Sequence, residues 1–257
     1  MVTLKDIFNY MCELAPMEGA LPWDNPGLLA GHTCNEIKRV IVALDITDEV
    51  IEECVSYGGE LIISHHPVIF KAVSSVTDST VTGRRLLKLI ENKIGAVCMH
   101  TNLDVAAGGV NDLLARRLEL DGVSVCPGTE EVIRMGFVAE TEVGEFAERV
   151  KSKLGCNGVR LYKSGDTVSK IAVGGGACGR SEYITWVKRC GCDILVTSDL
   201  DYAEILEAQE IGLGLIDAGH FATEDVICPA IAEAVGARFP SVLVKKSEAL
   251  RDTAIFI

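Results

Sequence analysis

The stretch Glu60-Leu61-Ile62-Ile63-Ser64-His65-His66-Pro67 decides the fold and marks a candidate site. Its apolar run predicts a buried strand, and two adjacent histidines follow at the carboxyl end of that run. The chain has five histidines in 257 residues, and the carboxyl ends of parallel strands form the functional edge of an open α/β sheet. Two imidazoles at that edge indicate a metal site.

Apolar runs of strand length alternate with helical patterns on both sides of this stretch, which is typical of β-α units. Pro229 is expected to perturb the last helix, because it removes a backbone donor from the helix interior. The predicted strands lie near residues 39–44, 61–63, 95–99, 134–139, 170–173, 193–196, 213–216, 242–244 and 253–257. The predicted helices cover an amphipathic N-terminal segment capped by Thr3 and residues 48–57, 83–91, 110–118, 144–154, 182–190, 202–210 and 224–235.

The two halves of the chain repeat one pattern. Residues 38–42, an acidic helix and residues 60–64 match residues 169–173, a helix and residues 193–197. This match predicts a degenerate duplication of a β-α-β-α-β unit. The sequence therefore predicts an α/β protein with two similar lobes, each a mixed, mostly parallel sheet flanked by helices, and a metal site in the cleft between the lobes. The first lobe is expected at 1–126, completed by about 217–257, and the second at 127–216.

Composition limits the classes of partner. The formal net charge is -13, which disfavours general nucleic-acid or anionic-membrane binding. The 10 cysteines are scattered without a CxxC pair, and this usage predicts free thiols in the reducing cytoplasm. Apolar runs in the sequence are too short to cross a membrane.

Polar residues follow the matched strands in both halves. Three imidazoles and two carboxylates are enough for two metal sites that share a bridge. His220 and Glu224 are four residues apart at the start of a helix, so they lie on one side of it. The donor set suits zinc, iron, manganese or cobalt. The five predicted ligands are His65, His66, Asp104, His220 and Glu224.

Other polar residues have weaker assignments. His100 is a candidate for orienting a ligand or moving a proton, or it is a satisfied structural group at a strand end. Asp45 is a candidate proton carrier whose structural alternative is capping the following helix. His32 is expected in a surface turn. The structural alternative for His65 and His66 is a capping role, with solvated carboxylates nearby.

A second motif lies between residues 174 and 179. Gly174, Gly175, Gly176 and Gly179 satisfy GxGxxG after an apolar strand, as in dinucleotide-binding proteins. Consecutive glycines also serve a tight crossover where the backbone must approach another element. A third possibility is an anion-binding nest of amides near the metals.

Taken together, the motifs resemble the Nif-three-like dinuclear metal-centre family, also known as GTP cyclohydrolase I type 2 homologues. The resemblance spans nearly the whole chain. It rests on Trp23-Asp24-Asn25-Pro26-Gly27-Leu28-Leu29, Ser64-His65-His66-Pro67 with Phe70, His100-Thr101-Asn102-Leu103-Asp104, and Asp217-Ala218-Gly219-His220 with Glu224.

The resemblance implies two divalent transition metal ions per chain. It implies that His65 and His66 bind different ions, that Asp104 and His220 complete the separate shells, and that Glu224 bridges. A toroidal homohexamer is also implied. One departure concerns Thr197-Ser198-Asp199, where the family often has Thr-Gly-Asp and then a histidine, so an accessory histidine is not expected at that point.

The leading hypothesis is a metal-dependent hydrolase of the cyclohydrolase type that acts on a nucleotide or a related cyclic amide or imine. The alternative is a non-catalytic metal-binding protein that assembles with or recruits a partner, because both uses need the same ligands. A dinucleotide-binding oxidoreductase is a third hypothesis and rests on the glycine motif alone.

Overall fold

The computed structural model describes residues 1–255. These residues divide into two compact units. The first unit consists of Met1–Ala106 and Ile227–Arg251, and the second consists of Ala107–Val226 with residues 252–255. The chain therefore returns to the first unit after it has built the second.

A five-stranded sheet forms the centre of the first unit. Its spatial order is β1-β4-β3-β2-β11, and all neighbours are parallel except β1, which runs antiparallel to β4. Strand β3 is buried along its whole length, as expected for a central parallel strand covered on both faces. The strands are β1 (Gly27–Ala30), β2 (Arg39–Ala43), β3 (Leu61–Ser64), β4 (Gly95–Cys98) and β11 (Leu243–Lys246).

Two helices of the first unit show clear capping chemistry at one end. Thr3 and Asp6 form a reciprocal capping box that starts the N-terminal helix, and this satisfies two backbone donors. Gly58 ends the next long helix in the left-handed conformation, with φ of 68°, which glycine adopts without steric cost. The elements are α1 (Leu4–Leu14), a 3-10 turn (Met17–Gly19), α2 (Asp48–Tyr57), α3 (Val81–Glu91), α4 (Thr101–Val105) and α10 (Ile227–Arg238).

A six-stranded sheet forms the centre of the second unit. Its order is β5-β6-β8-β9-β10-β7, in which β8, β9 and β10 are parallel and the other pairs are antiparallel. Phe146 is fully buried in the apolar core beside this sheet. The strands are β5 (Asp121–Val125), β6 (Arg134–Glu142), β7 (Arg160–Tyr162), β8 (Thr167–Val173), β9 (Ile194–Thr197) and β10 (Gly214–Asp217).

The helices of the second unit connect these strands. They are α5 (Val110–Arg117), α6 (Val143–Leu154), α7 (Ser181–Arg189), α8 (Tyr202–Glu210) and α9 (His220–Glu224). In β8-α7-β9-α8-β10 three parallel strands alternate with two helices, and β2-α2-β3-α3-β4 has the same arrangement in the first unit. An antiparallel strand flanks the third strand of each set, β1 beside β4 and β7 beside β10. The two sheets thus share the repeated topology.

Some sequence predictions are wrong in detail. The helix predicted at 224–235 is two helices, because α9 ends at Glu224 and α10 begins at Ile227. Pro229 therefore lies in the first turn of α10, where a backbone N–H has no partner within the helix and its loss costs little. The strand predicted at 253–257 does not form over residues 253–255, and residues 256 and 257 lie outside the described part.

Short strands were not predicted. Strands β1, β5 and β7 lie at sheet edges and are mostly exposed or half-buried, so they lack the fully buried apolar run that predicts a central strand. Residues 107–126, placed with the first lobe by the sequence, include α5 and β5, and β5 pairs with β6 of the second unit.

Candidate metal centre

The histidine pair extends the line of strand β3 beyond its carboxyl end. The amides of His65 and His66 donate to the carbonyl oxygens of Ala43 and Leu44, with N–O distances of 3.3 and 2.9 Å. The two imidazole rings lie 5.1 Å apart between centroids at an angle of 47°. The backbone therefore turns at this point and does not send the two side chains to opposite faces.

The environment of His65 fixes its tautomer. Its side chain is fully buried, and Nδ1 lies 2.9 Å from the backbone oxygen of Met99. A carbonyl oxygen can only accept, so Nδ1 carries the proton and Nε2 offers its lone pair. That Nε2 lies 3.5 Å from Oδ1 of Asp104. An imidazole nitrogen and a carboxylate oxygen are thus close together in a buried place.

His66 is held by Asp45. The distance from Nδ1 of His66 to Oδ1 of Asp45 is 2.9 Å. The helix that follows is capped by Thr47, whose hydroxyl accepts from the amide of Val50. The capping role considered for Asp45 is therefore wrong, and its carboxylate orients an imidazole.

His100 lies beside the histidine pair. Its ring centroid is 5.1 Å from that of His65 and 5.5 Å from that of His66. One nitrogen of each of the three rings lies within 4.8 Å of the corresponding nitrogens of the other two. The first unit therefore brings three imidazoles together at one edge of its sheet.

Asp24 fixes His100 from a distant part of the sequence. Oδ1 of Asp24 is 2.6 Å from Nδ1 of His100, and Oδ2 accepts from the amide and hydroxyl of Thr101 at 3.0 and 2.6 Å. Burial raises the pKa of this carboxyl, but the hydrogen bonds from His100 and Thr101 outweigh it and bring the pKa to about 2. Asp24 is thus an anion at neutral pH, although its side chain is buried.

The second unit holds the other two predicted ligands on α9. Nε2 of His220 lies 2.9 Å from Oε2 of Glu224, as the spacing of four residues predicts. Nδ1 of His220 is 2.6 Å from Oδ2 of Asp199, which follows β9 and has a positive φ of 52°. Asp and Asn tolerate this backbone region better than most residues. Asp199 thus takes the orienting role toward His220 that Asp45 takes toward His66.

Asp217 is a structural residue. It is the last residue of β10, and its carboxylate pairs with the guanidinium of Arg160 and accepts from the amide of Gly219 at 3.0 Å. His32 lies exposed in a loop. Neither residue belongs to the imidazole clusters described above.

The glycine loop, residues 174–179, lets the backbone pass close to the side chains of Glu224 and His220. A Cβ on Gly176 would lie 2.1 Å from Oε1 of Glu224 and 3.1 Å from Nε2 of His220. The backbone φ of Gly176 is also positive, at 62°, which favours glycine. These contacts require glycine at residue 176, so the motif has a packing reason that is independent of any dinucleotide.

Three amides of this loop are engaged within the second unit. Gly174 donates to Val196, Gly175 to Oδ1 of Asn111 at 2.7 Å, and Gly176 to the hydroxyl of Thr223 at 3.0 Å. An anion nest needs amides that point outward. Of the interpretations given to Gly174, Gly175, Gly176 and Gly179, the tight crossover is the one these contacts favour.

One feature unites the four histidines. An oxygen atom holds Nδ1 of each ring: Met99 O for His65, Asp45 for His66, Asp24 for His100 and Asp199 for His220. Metal-binding histidines have this partner in most proteins, because it fixes the ring and strengthens the other nitrogen as a ligand. The arrangement fits a divalent transition metal, since imidazole nitrogen with carboxylate oxygen suits that class of ion.

The sequence did not identify Asp24 or Met99 as partners. Asp24 lies 76 residues from His100, and a backbone oxygen such as that of Met99 carries no residue signature. The one available signal was the position of Asp24 inside Trp23-Asp24-Asn25-Pro26, a motif that the resemblance includes.

The fold and these clusters define an α/β protein with two sheets and oriented imidazoles at strand ends. The family pattern of Duf34/NIF3 (NGG1p interacting factor 3) matches residues 2–252, and the chain belongs to this family.

Named relatives agree with this assignment. A protein of Clostridium perfringens named GTP cyclohydrolase 1 type 2 homolog is 33% identical over 247 residues and covers 93% of each chain. A Helicobacter pylori protein named GTP cyclohydrolase 1 type 2 is 30% identical and covers 91% of each. The crystal structure of a Bacillus cereus protein related to NIF3 superposes with a TM-score of 0.93 at 24% identity, over 100% of this chain and 99% of that one. This last likeness shows the fold.

Proposed function

We propose that this protein binds two divalent transition metal ions and uses them to hydrolyse a nucleotide or a related cyclic amide or imine. The observation that carries the proposal is the oxygen partner at Nδ1 of each clustered histidine, because this is the arrangement that metal-binding imidazoles need. The names of the relatives in Clostridium perfringens and Helicobacter pylori support the cyclohydrolase class.

The proposed ligands are His65, His66, Asp104, His220 and Glu224. When bound, divalent ions of this class polarise a carbonyl, imine or phosphoryl oxygen and lower the pKa of water. The ions fitting this donor set are zinc, iron, manganese and cobalt.

Residues around the ligands have their own tasks. Asp45 and Asp199 fix the rings of His66 and His220, so the ligand nitrogens need no reorganisation when an ion binds. His100, anchored by the ionised Asp24, can accept or release a proton at its other nitrogen. Asp45 is 41% exposed at its side chain, so its carboxylate can carry protons between the solvent and the site.

Turnover assays with GTP and a panel of nucleotides and cyclic amides test the enzymatic part. We expect a metal-dependent product with the wild type and a rate about 100-fold lower with Glu224→Gln, because a neutral amide is a weaker metal ligand than a carboxylate. Glu210→Gln, an exposed glutamate at the end of α8, is the matched control and should keep the wild-type rate. Metal binding without product from any member of the panel would favour the alternative, a non-catalytic metal-binding assembly protein.

The proposal includes an assembly and a compartment. We propose a homohexamer of toroidal form, as the family resemblance implies, and the cytoplasm as the location. The 10 cysteines form no disulfide within residues 1–255, which is compatible with a reducing compartment. Within residues 1–255, none of the helices has the length and apolar character needed to cross a membrane.

A further inference from the structure

Two aromatic side chains stand exposed beside the imidazoles of the first unit. Trp23 and Phe70 are each 46% exposed. Their ring centroids lie 6.0 Å apart at an interplanar angle of 67°. Single exposed apolar side chains are common, but two large rings that contact each other at a strand-end site need a specific explanation.

Both rings contact the imidazole cluster. The centroids of Trp23 and Phe70 each lie 6.1 Å from that of His100, in edge-to-face geometry. His100 in turn is 5.1 Å from His65. The aromatic pair therefore borders the candidate metal residues on one side.

Hydrogen bonds fix the two segments that carry these rings. Nδ2 of Asn25 donates to the backbone oxygen of Ile69 at 2.6 Å, so a residue two positions after Trp23 is joined to the residue before Phe70. Asp24, between Trp23 and Asn25, is held by His100 and Thr101. The rings are thus positioned before any ligand arrives, and a preorganised surface loses less entropy on binding.

The chemistry of the pair selects a flat ligand. Aromatic side chains attract planar π systems by stacking and edge contacts, and each stacked base contributes measurably to affinity whatever its identity. Because the two rings meet at 67°, a planar ring stacked on one of them presents its face or edge to the other. An aliphatic group cannot stack in this way, and a phosphate is not attracted to the negative face of an aromatic ring.

We propose that Trp23 and Phe70 form a binding platform for the heteroaromatic base of a nucleotide, which places the base next to His100. This inference rests on the proposed function, since it names the part of the substrate that the first unit recognises. It assigns a role to Trp23 and Phe70 that the metal chemistry leaves unexplained.

Tryptophan fluorescence tests the platform directly, because the chain has only Trp23 and Trp186. In the variant Trp186→Phe, the emission of Trp23 is observed alone. We expect saturable quenching by guanosine monophosphate and none by ribose 5-phosphate at equal concentration. Adding Phe70→Ala should raise the dissociation constant about tenfold or more, as expected for a lost stacking contact, whereas Phe70→Tyr keeps the ring and should stay within about threefold.

Calorimetric titration of the wild type and Phe70→Ala repeats the comparison if Trp186→Phe fails to fold. Equal affinity for the nucleotide and ribose 5-phosphate, or equal affinity of Phe70→Ala and the wild type, would overturn the platform. Metal content measured on the same samples separates the two proposals. A wild type that binds no metal would contradict the proposed metal centre. Full metal binding without base-dependent quenching would contradict only the proposed platform.

Discussion

Replacing Gly176 by alanine probes the contact between the glycine loop and the ligand helix α9. The new Cβ would lie 2.1 Å from Oε1 of Glu224, so this carboxylate must move until the separation is at least 3.0 Å. Glu224 is only 4% exposed, and neighbours resist the movement. We expect lower stability together with weaker metal binding.

The expected loss of folding free energy in Gly176→Ala has two parts. Alanine in the left-handed region costs about 1–2 kcal/mol, less roughly 0.4–1 kcal/mol regained from the unfolded chain. An off-rotamer Glu224 adds about 0.5–1.5 kcal/mol. A total near 2 kcal/mol lowers Tm by about 4–8 °C in a chain of this size. A displaced ligand oxygen should weaken metal binding about tenfold or more.

Gly155→Ala is the matched control. Gly155 also has a positive φ, at 71°, but a Cβ there would have no neighbour within 4 Å. It therefore carries the backbone cost alone, and Tm should fall by about 2–4 °C with unchanged metal affinity. Differential scanning calorimetry and metal titration measure both quantities. Wild-type metal affinity in Gly176→Ala would refute the argument that this loop supports Glu224.

Three further changes test other contacts. Asp199→Asn should weaken metal binding about 10–100-fold in a metal titration, because Asp199 orients His220. The exposed Asp166→Asn is the control, and equal metal affinities of the two variants would contradict the orienting role. Glu53 accepts hydrogen bonds from Lys245 and Ser247. Burial raises the pKa of its carboxyl, but these hydrogen bonds outweigh burial, and the net pKa is lowered. The contribution of Glu53 to folding stability is therefore present above about pH 4.3 and is lost as pH falls through the lowered pKa. Chemical denaturation should therefore show a stability gap between the wild type and Glu53→Gln at pH 6 that closes in acid, and a gap constant with pH would contradict this assignment. Cys34 is an exposed thiol, whereas burial raises the pKa of the Cys54 thiol to about 12. A thiol reagent should therefore modify Cys34 before Cys54. Peptide mass spectrometry that finds Cys54 modified first would contradict the burial of Cys54.

The sequence predicted the elements whose period is strong. The buried run of β3, the alternation of strands and helices and the Thr3 cap are local patterns, and the structure confirms them. Short edge strands such as β1 and β7 were missed, because they depend on pairing partners far along the chain. The position of Pro229 was misjudged because helix boundaries depend on where α9 ends.

The sequence predicts the histidines of the site but not the groups that hold their rings. His65, His66 and His100 could be placed at strand ends from sequence, and the structure brings their nitrogens together. The partners of those rings could not, because Asp24 reaches His100 across 76 residues and Met99 contributes only a backbone oxygen. The role of Gly176 also depends on a tertiary contact with Glu224, so the motif alone left three interpretations open.

Metal content per chain tests the central claim most directly. Protein reconstituted with zinc, iron, manganese or cobalt, and freed of weakly bound ions, should hold about two ions per chain by plasma mass spectrometry. The combined variant His65→Ala, His66→Ala and Glu224→Gln, checked for folding by circular dichroism, should hold none, whereas exposed His32→Ala should match the wild type. A wild type without stoichiometric metal, or full metal content in the folded triple variant, would contradict the account.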